Sequence, residues 1–292
     1  MKITSLLENT TTNEQFKVEH GLSLFIETEN HKILFDMGQS DLFAENAKTL
    51  GIDLAEVDIA VLSHGHYDHG GGLAKFLEIN DHAPVYVTAK AFEPHYNGKE
   101  KYIGLNTALQ GNERLKMIRE ADEPQYGGSS KVDCKGVNRE GVGAEGVRIT
   151  LMENKCEETH LTLYSCNHRI RRCNLGSFGL TVCQNGEFLP DDFTHEQYLL
   201  IEEKGKRVLI SGCSHKGILD ITEWFEPDVL VGGFHFSKLP LDEMLAGYAR
   251  RLAAHDTLFV TCHCTGREQY EFMKKYMPRL EYLCCGESFV IS

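Results

Sequence analysis

Leu62-Ser63-His64-Gly65-His66-Tyr67-Asp68-His69-Gly70-Gly71-Gly72-Leu73 is the stretch on which the reading of this chain turns. Three histidines and one aspartate fall within six residues, between an apolar run and three glycines. Upstream, Asp58-Ile59-Ala60-Val61-Leu62-Ser63 reads as a short buried strand, and downstream Leu73-Ala74-Lys75-Phe76-Leu77 reads as a helix. The cluster therefore sits on a strand-to-helix loop, where rigid scaffolds display chemistry. Side chains alternate on extended backbone, so His64 and His66 point the same way. Asp68 and His69 then offer a second donor pair. This spacing suits two adjacent divalent metal ions, His64 and His66 on one, Asp68 and His69 on the other. Imidazole with carboxylate suits Zn, Fe or Mn, with Zn the first expectation. The competing reading is a solvated histidine loop, and four convergent donors at this spacing outweigh it.

Working outward, Leu22–Thr28 and Ile33–Asp36 flank the polar turn Glu29-Asn30-His31-Lys32 and read as a hairpin. Residues 41–50 carry helical spacing, with Leu42, Phe43, Ala47 and Leu50 on one face. Pro84–Val87 is a further strand. The pattern weakens from about 91 to 150, and glycines at 127–128 and from 136 to 146 suggest a loop-rich insertion. Periodicity then returns. Tyr198–Ile201 and Arg207–Ile210 flank Lys204-Gly205-Lys206 as a second hairpin, and Asp228–Val231 and Thr257–Val260 are strands around a helix from Leu241 to Ala254. Each half thus runs hairpin, strand, helix, strand within one domain spanning residues 1–292.

The quoted stretch resembles the H-x-H-x-D-H signature of the metallo-β-lactamase superfamily, and Phe35-Asp36-Met37-Gly38 is similar to the D-x-G turn that precedes it there. The resemblance implies an α/β fold, an αββα sandwich of two mixed sheets flanked by helices. It also implies further ligands at later strand ends. His215 closes Ile210-Ser211-Gly212-Cys213-Ser214-His215, His263 lies in Cys262-His263-Cys264-Thr265-Gly266, and His235 ends Gly232-Gly233-Phe234-His235. With Glu19-His20-Gly21-Leu22-Ser23, these motifs resemble the branch labelled 7,8-dihydropterin-6-methyl-4-(ribofuranosyl)aminobenzene-5'-phosphate synthase-like. Many superfamily members carry a bridging aspartate where this chain has Cys213. Either the Cys213 thiolate ligates or His215 takes over; His215 and His263 are the expected ligands. Asp68 and His235 are the expected catalytic groups, with His20 as another acid or oxyanion donor. Asp191 and Asp192 are weaker candidates for a supporting carboxylate.

The formal net charge of −13 argues against nucleic acid, whose binders neutralise phosphates with a basic surface. A small anionic substrate fits better, because metals supply positive charge. Arg169, Arg171 and Arg172 form the one dense basic cluster, either a substrate-anion site or a solvated loop. Ten cysteines at irregular spacing, without a secretory opening, point to a cytoplasmic protein with free thiols. Cys262, Cys264, Cys284 and Cys285 read as buried thiols. No apolar run approaches the roughly 18 residues needed to span a membrane. The expected function is a metal-dependent hydrolase acting on a small phosphorylated or carbonyl-containing substrate. The alternatives are a phosphate synthase or transferase of the kind the branch label names, or a metal-bearing binding protein without turnover.

Overall fold

The computed structural model describes residues 1–118, 147–149 and 159–292. Strand after strand alternates between two apolar environments, and that alternation builds the layers. In Lys32–Phe35, Ile33 and Phe35 face one core while Leu34 faces another. Ile59 and Val61 join the first core and Ala60 the second. In the second half, Leu199, Ile201, Val208, Ile210, Val229, Val231 and Val260 meet that same first core. Tyr198, Leu200, Leu209, Leu230 and Phe259 point the opposite way, toward helices. Two sheets therefore share one inner core, and each carries helices outside. This is the expected αββα sandwich. Each fully buried aliphatic or aromatic side chain in these layers contributes about 1.5–3 kcal/mol.

Among the described residues each large sheet has seven strands. The first runs Ser288–Val290, Lys2–Leu7, Ser23–Glu27, Lys32–Phe35, Ile59–Val61, Val85–Thr88, Leu115–Ile118, antiparallel as far as Lys32–Phe35 and parallel beyond. The second runs Leu280–Tyr282, Leu258–Thr261, Val229–Gly232, Lys206–Ile210, Tyr198–Glu203, Thr159–Tyr164, Val147–Ile149. It is parallel through Lys206–Ile210 and antiparallel after it. Helices Leu42–Thr49 and Leu73–Ile79 cover the first sheet, and Ile218–Phe225, Glu243–Ala253 and Arg267–Met273 cover the second. Ligands of open α/β sheets gather at the carboxyl ends of parallel strands. Here those ends lead into Asp36, His64, Cys213, His235 and His263.

The expected insertion needs a correction. Up to residue 118 it belongs to the fold, because Leu115–Ile118 extends the first sheet beside Val85–Thr88. His95–Asn97 and Lys101–Tyr102 join Leu180–Gln184 and Glu187–Pro190 in a small antiparallel sheet. The glycine-rich stretches expected as loops at 127–130 and 136–146 lie outside the described residues. Among the described residues, no helix is long and apolar enough to cross a membrane.

Candidate metal centre

The strand Ile59–Val61 stops three residues before His64, and His66 begins a one-turn helix, Tyr67–Gly70. That turn is bolted to its surroundings. Leu22 N–H donates to the Asp68 carbonyl (3.2 Å), Met37 N–H to the His69 carbonyl (2.7 Å) and Tyr67 N–H to the Ile103 carbonyl (2.8 Å). Glycine is required at 65, since a Cβ there would lie 2.2 Å from the Ala91 carbonyl oxygen. It is required at 212 as well, where a Cβ would meet Ser63 Oγ at 2.2 Å. The two sheets approach closely there, and the second sheet's ligands reach the first sheet's loop.

His64, His66, Asp68, His69, His215 and His263 come together in one buried cluster. His64 Nε2 and His215 Nε2 are 3.3 Å apart; His69 Nε2 and His263 Nε2 are 3.2 Å apart. Asp68 Oδ2 lies 3.5 Å from His263 Nε2 and 3.8 Å from His69 Nε2. Neighbouring ligands of a tetrahedral ion with bonds of 2.0–2.1 Å stand about 3.3 Å apart. The donor chemistry fits as well. His64 Nδ1 faces Ser63 Oγ at 2.7 Å, and Ser63 Oγ donates in turn to Asp36 at 2.7 Å. The His64 Nδ1 hydrogen is thus committed to Ser63, leaving at Nε2 a lone pair that needs a proton or a cation opposite it. Asp36 also accepts from His69 Nδ1 (2.7 Å), and Asn9 Oδ1 accepts from His263 Nδ1 (2.8 Å). Such outer partners fix ring orientation and free the other nitrogen for a metal.

Two buried glutamates hold the late turns. Glu8 accepts from His263 N–H (2.7 Å), Tyr282 O–H (2.7 Å), and Thr10 N–H and O–H. Glu196 accepts from the backbone N–H of His215 (2.7 Å) and Lys216 (3.0 Å), and from Tyr198 O–H (2.6 Å). Both turns need such partners, because Ser214 and His263 adopt positive φ of 56° and 48°. Phe193 stacks on the His215 ring at 4.4 Å.

Electrostatics divide the cluster. Burial, reinforced by neighbouring imidazoles, holds His64 and His215 well below the ordinary histidine value; burial and His195 do the same to His66. These three are neutral, as metal ligation requires. Burial also lowers His69, but Asp36 and Asp68 outweigh it and raise that ring to about 9. Burial raises the Asp68 carboxyl, while His69, His20 and His263 together hold it well below the usual range.

The sequence posed Cys213 and His215 as alternatives; the fold brings both to the cluster. Cys213 Sγ lies 3.2 Å from His69 Nε2 and groups with His64 and His69, while His215 groups with His64 and His66. His235 is half-buried at φ 56°, with its ring 4.3 Å from that of His215 and no hydrogen-bond partner at Nδ1. Its backbone N–H donates to Cys264 Sγ (3.3 Å), and Cys213, His235 and Cys264 form a further donor group. His20 is exposed, with Nε2 at 3.2 Å from Asp68 Oδ2. The eight cysteines among the described residues are free thiols, and Cys262, Cys264, Cys284 and Cys285 are buried.

Four candidates, Asp192, Arg169, Arg171 and Arg172, lie outside these donor groups. Asp192 is exposed and accepts from Thr194 N–H within its own loop; the buried carboxyl is its neighbour Asp191. Arg169 donates to the Trp224 carbonyl and lies over the Phe225 ring, at the far end of the helix that follows His215. A cation is stabilised there by the helix dipole, so Arg169 serves the helix end. Arg171 is half-buried and Arg172 exposed on the same loop. Sequence reasoning missed Glu8, Asn9, Glu196, His95 and His195. The signal available for the last was His195 four residues after Asp191, just before a clear strand.

The profile of the metallo-beta-lactamase superfamily matches residues 17–246. A 7,8-dihydropterin-6-methyl-4-(beta-D-ribofuranosyl)-aminobenzene-5'-phosphate synthase of Methanocaldococcus jannaschii is 26% identical over 289 residues, covering 94% of this chain and 91% of that protein. An uncharacterised protein of the same organism is 28% identical over 267 residues, covering 89% and 90%. A solved structure described as a metal-dependent hydrolase of the beta-lactamase superfamily aligns with a TM-score of 0.74 and 28% identity, over 100% of this chain and 99% of that one. Signature, sandwich and convergent donors agree with these matches, and the chain belongs to the metallo-beta-lactamase superfamily.

Proposed function

We propose that this chain is a dinuclear metal-dependent hydrolase acting on a small anionic substrate with a phosphoryl or carbonyl centre. The observation that carries the reading is the pair of convergent donor sets, His64/His66/His215 and Asp68/His69/His263, with His64 Nε2 3.3 Å from His215 Nε2 and His69 Nε2 3.2 Å from His263 Nε2. Zn is the metal expected from imidazole-rich sets, with Fe or Mn as the others. Two divalent ions, if held by these residues, would lower the pKa of a bound water and polarise the oxygen of the reacting group. Asp68, already ionised, orients the attacking water and accepts its proton. His235, with Nδ1 unpartnered beside His215, is placed to donate to the leaving atom. His20, exposed, reaches Asp68 Oδ2 at 3.2 Å from the solvent side.

A second reading has specific support. The full-length match to a synthase whose name carries a 5'-phosphate favours a phosphorylated substrate and a transfer or condensation at that centre. Both readings need the same metals. Elemental analysis of purified protein, with phosphodiester, lactone and thioester substrates, tests the first. Two equivalents of metal and turnover of one class are expected, with both falling in His66→Ala. A fully metallated protein inert on all three classes, whose metal content is unchanged in His66→Ala, sinks it.

A further inference from the structure

Behind His66 lies a second buried group, His66, His95, Asp191 and His195, with donor atoms within 4.8 Å of one another. Its composition is that of a metal site, but its hydrogens are committed otherwise. Gly65 N–H donates to His195 Nδ1 at 2.9 Å. That nitrogen therefore carries the lone pair, and the neutral ring keeps its hydrogen on Nε2. His195 Nε2 lies 3.3 Å from Asp191 Oδ2, off the line of a good hydrogen bond, so no lone pair of that ring remains for a cation. His95 Nδ1 meets the same Asp191 oxygen at 2.9 Å, and Asp191 Oδ1 accepts from Phe193 N–H at 2.8 Å. The carboxyl group is filled by protein donors.

The His195 backbone is fixed too. Its carbonyl accepts from Thr88 Oγ1 (2.8 Å), and two residues on, Gln197 N–H donates to the Ser63 carbonyl (2.7 Å). The ring is thus a strut from the second sheet to one peptide, the His64–Gly65 peptide between two donors of the metal centre. On its other side that glycine is packed against Ala91 with no room for a methyl group.

We infer that Asp191 and His195 are positioning residues: Asp191 holds His95 and the Phe193 turn that leads into His195, and His195 Nδ1, bare because it accepts from Gly65 N–H, pins Gly65 so that His64 and His66 are held in ligating geometry. The inference rests on the reading of His64 and His66 as metal ligands. Asp191→Asn keeps the size, but an amide whose oxygen accepts from Phe193 N–H turns its NH2 toward His95 Nδ1 and no longer accepts from that ring.

Three measurements test it. In metal-free wild type, nitrogen NMR should find His195 protonated at Nε2 and bare at Nδ1; the opposite tautomer overturns the proposal without any variant. Exchange of the Gly65 amide should be slow in wild type and faster in Asp191→Asn and His195→Ala. On cobalt titration both variants should keep the wild-type number of equivalents, with affinity at the His64/His66/His215 position weaker by about 10–100-fold and an altered visible spectrum. Loss of a whole equivalent in Asp191→Asn would make the group a ligand set and overturn the proposal. So would wild-type Gly65 exchange and cobalt affinity in both variants. If wild type takes up no cobalt, the metal reading fails, while tautomer and Gly65 exchange still decide the strut.

Discussion

His69 is the residue whose charge and ligation conflict most directly. Asp36 and Asp68 raise it to about 9, so the metal-free ring is protonated at neutral pH. A metal at Nε2 must displace that proton. Metal uptake at pH 8 should release about one proton from this ring per ion bound at the Asp68 side. Calorimetry in buffers of different ionisation enthalpy measures it, and uptake without release would contradict the assignment of His69. Glu8 is a second test at this scale. Glu8→Ala leaves the His263 N–H and Tyr282 O–H without partners, at about 1–3 kcal/mol each. Urea unfolding should show that loss, with weaker metal binding at the His263 side. The two residues also show what was legible. His69 lies in a contiguous run whose spacing declares itself. Glu8 reaches His263 across 255 residues, and nothing local marks it.

The strand-to-helix connection at Gly65 is the element most sensitive to change. An added methyl group meets the Ala91 carbonyl, which is backbone and cannot rotate away. Gly65→Ala should cost about 1–3 kcal/mol, the usual range for overpacking, and should weaken metal binding while helix content by circular dichroism stays the same. Unchanged stability and metal affinity would mean that the loop has slack the close approach denies. The hairpins and central strands were legible because alternation sends Ile33 and Phe35 one way and Leu34 the other. Leu115–Ile118 was not, since only Leu115 of its four residues is buried and its place is set by Val85–Thr88. The small sheet is equally silent in the sequence: Lys101–Tyr102 has two exposed residues and gains its conformation from its partner strand.

For the whole molecule, a metal held only by the folded donor sets would make metal binding and folding one equilibrium. Removing metal with a chelator should lower the thermal midpoint, and restoring Zn should recover it. The metal-free protein should also depend on pH. His64, His66 and His215 stay neutral when folded, whereas the unfolded chain protonates them near the ordinary 6.5. The unfolded state then binds more protons, so stability falls as pH drops below about 6.5. His69 acts with the opposite sign: its contribution is complete below about 6.5 and is lost as pH rises through about 9. With His195, which burial lowers to about 4, four imidazoles are depressed against two that are raised, His69 and His20, so the urea midpoint should fall more steeply on the acid side. A flat profile from pH 5 to 7 would contradict the burial of those rings. The strand-end histidines were legible from local pattern, and the sandwich came only with the resemblance those motifs carry. Which late histidine joins which early pair was not legible, since it depends on how closely two sheets approach at Gly212.

The tie between Glu8 and His263 has a consequence for synthesis. A ribosome delivers His64, His66, Asp68 and His69 together, but the partner that completes the second donor set follows 194 residues after His69. At about 5–20 residues per second the interval from His64 to His263 lasts on the order of 10–40 s. Through it the nascent chain displays a half-built chelator, open to whichever ion is most abundant. Glu8 can hold the turn that carries His263 only once that residue has been made, so a second donor set would close on whichever ion is at hand after that point.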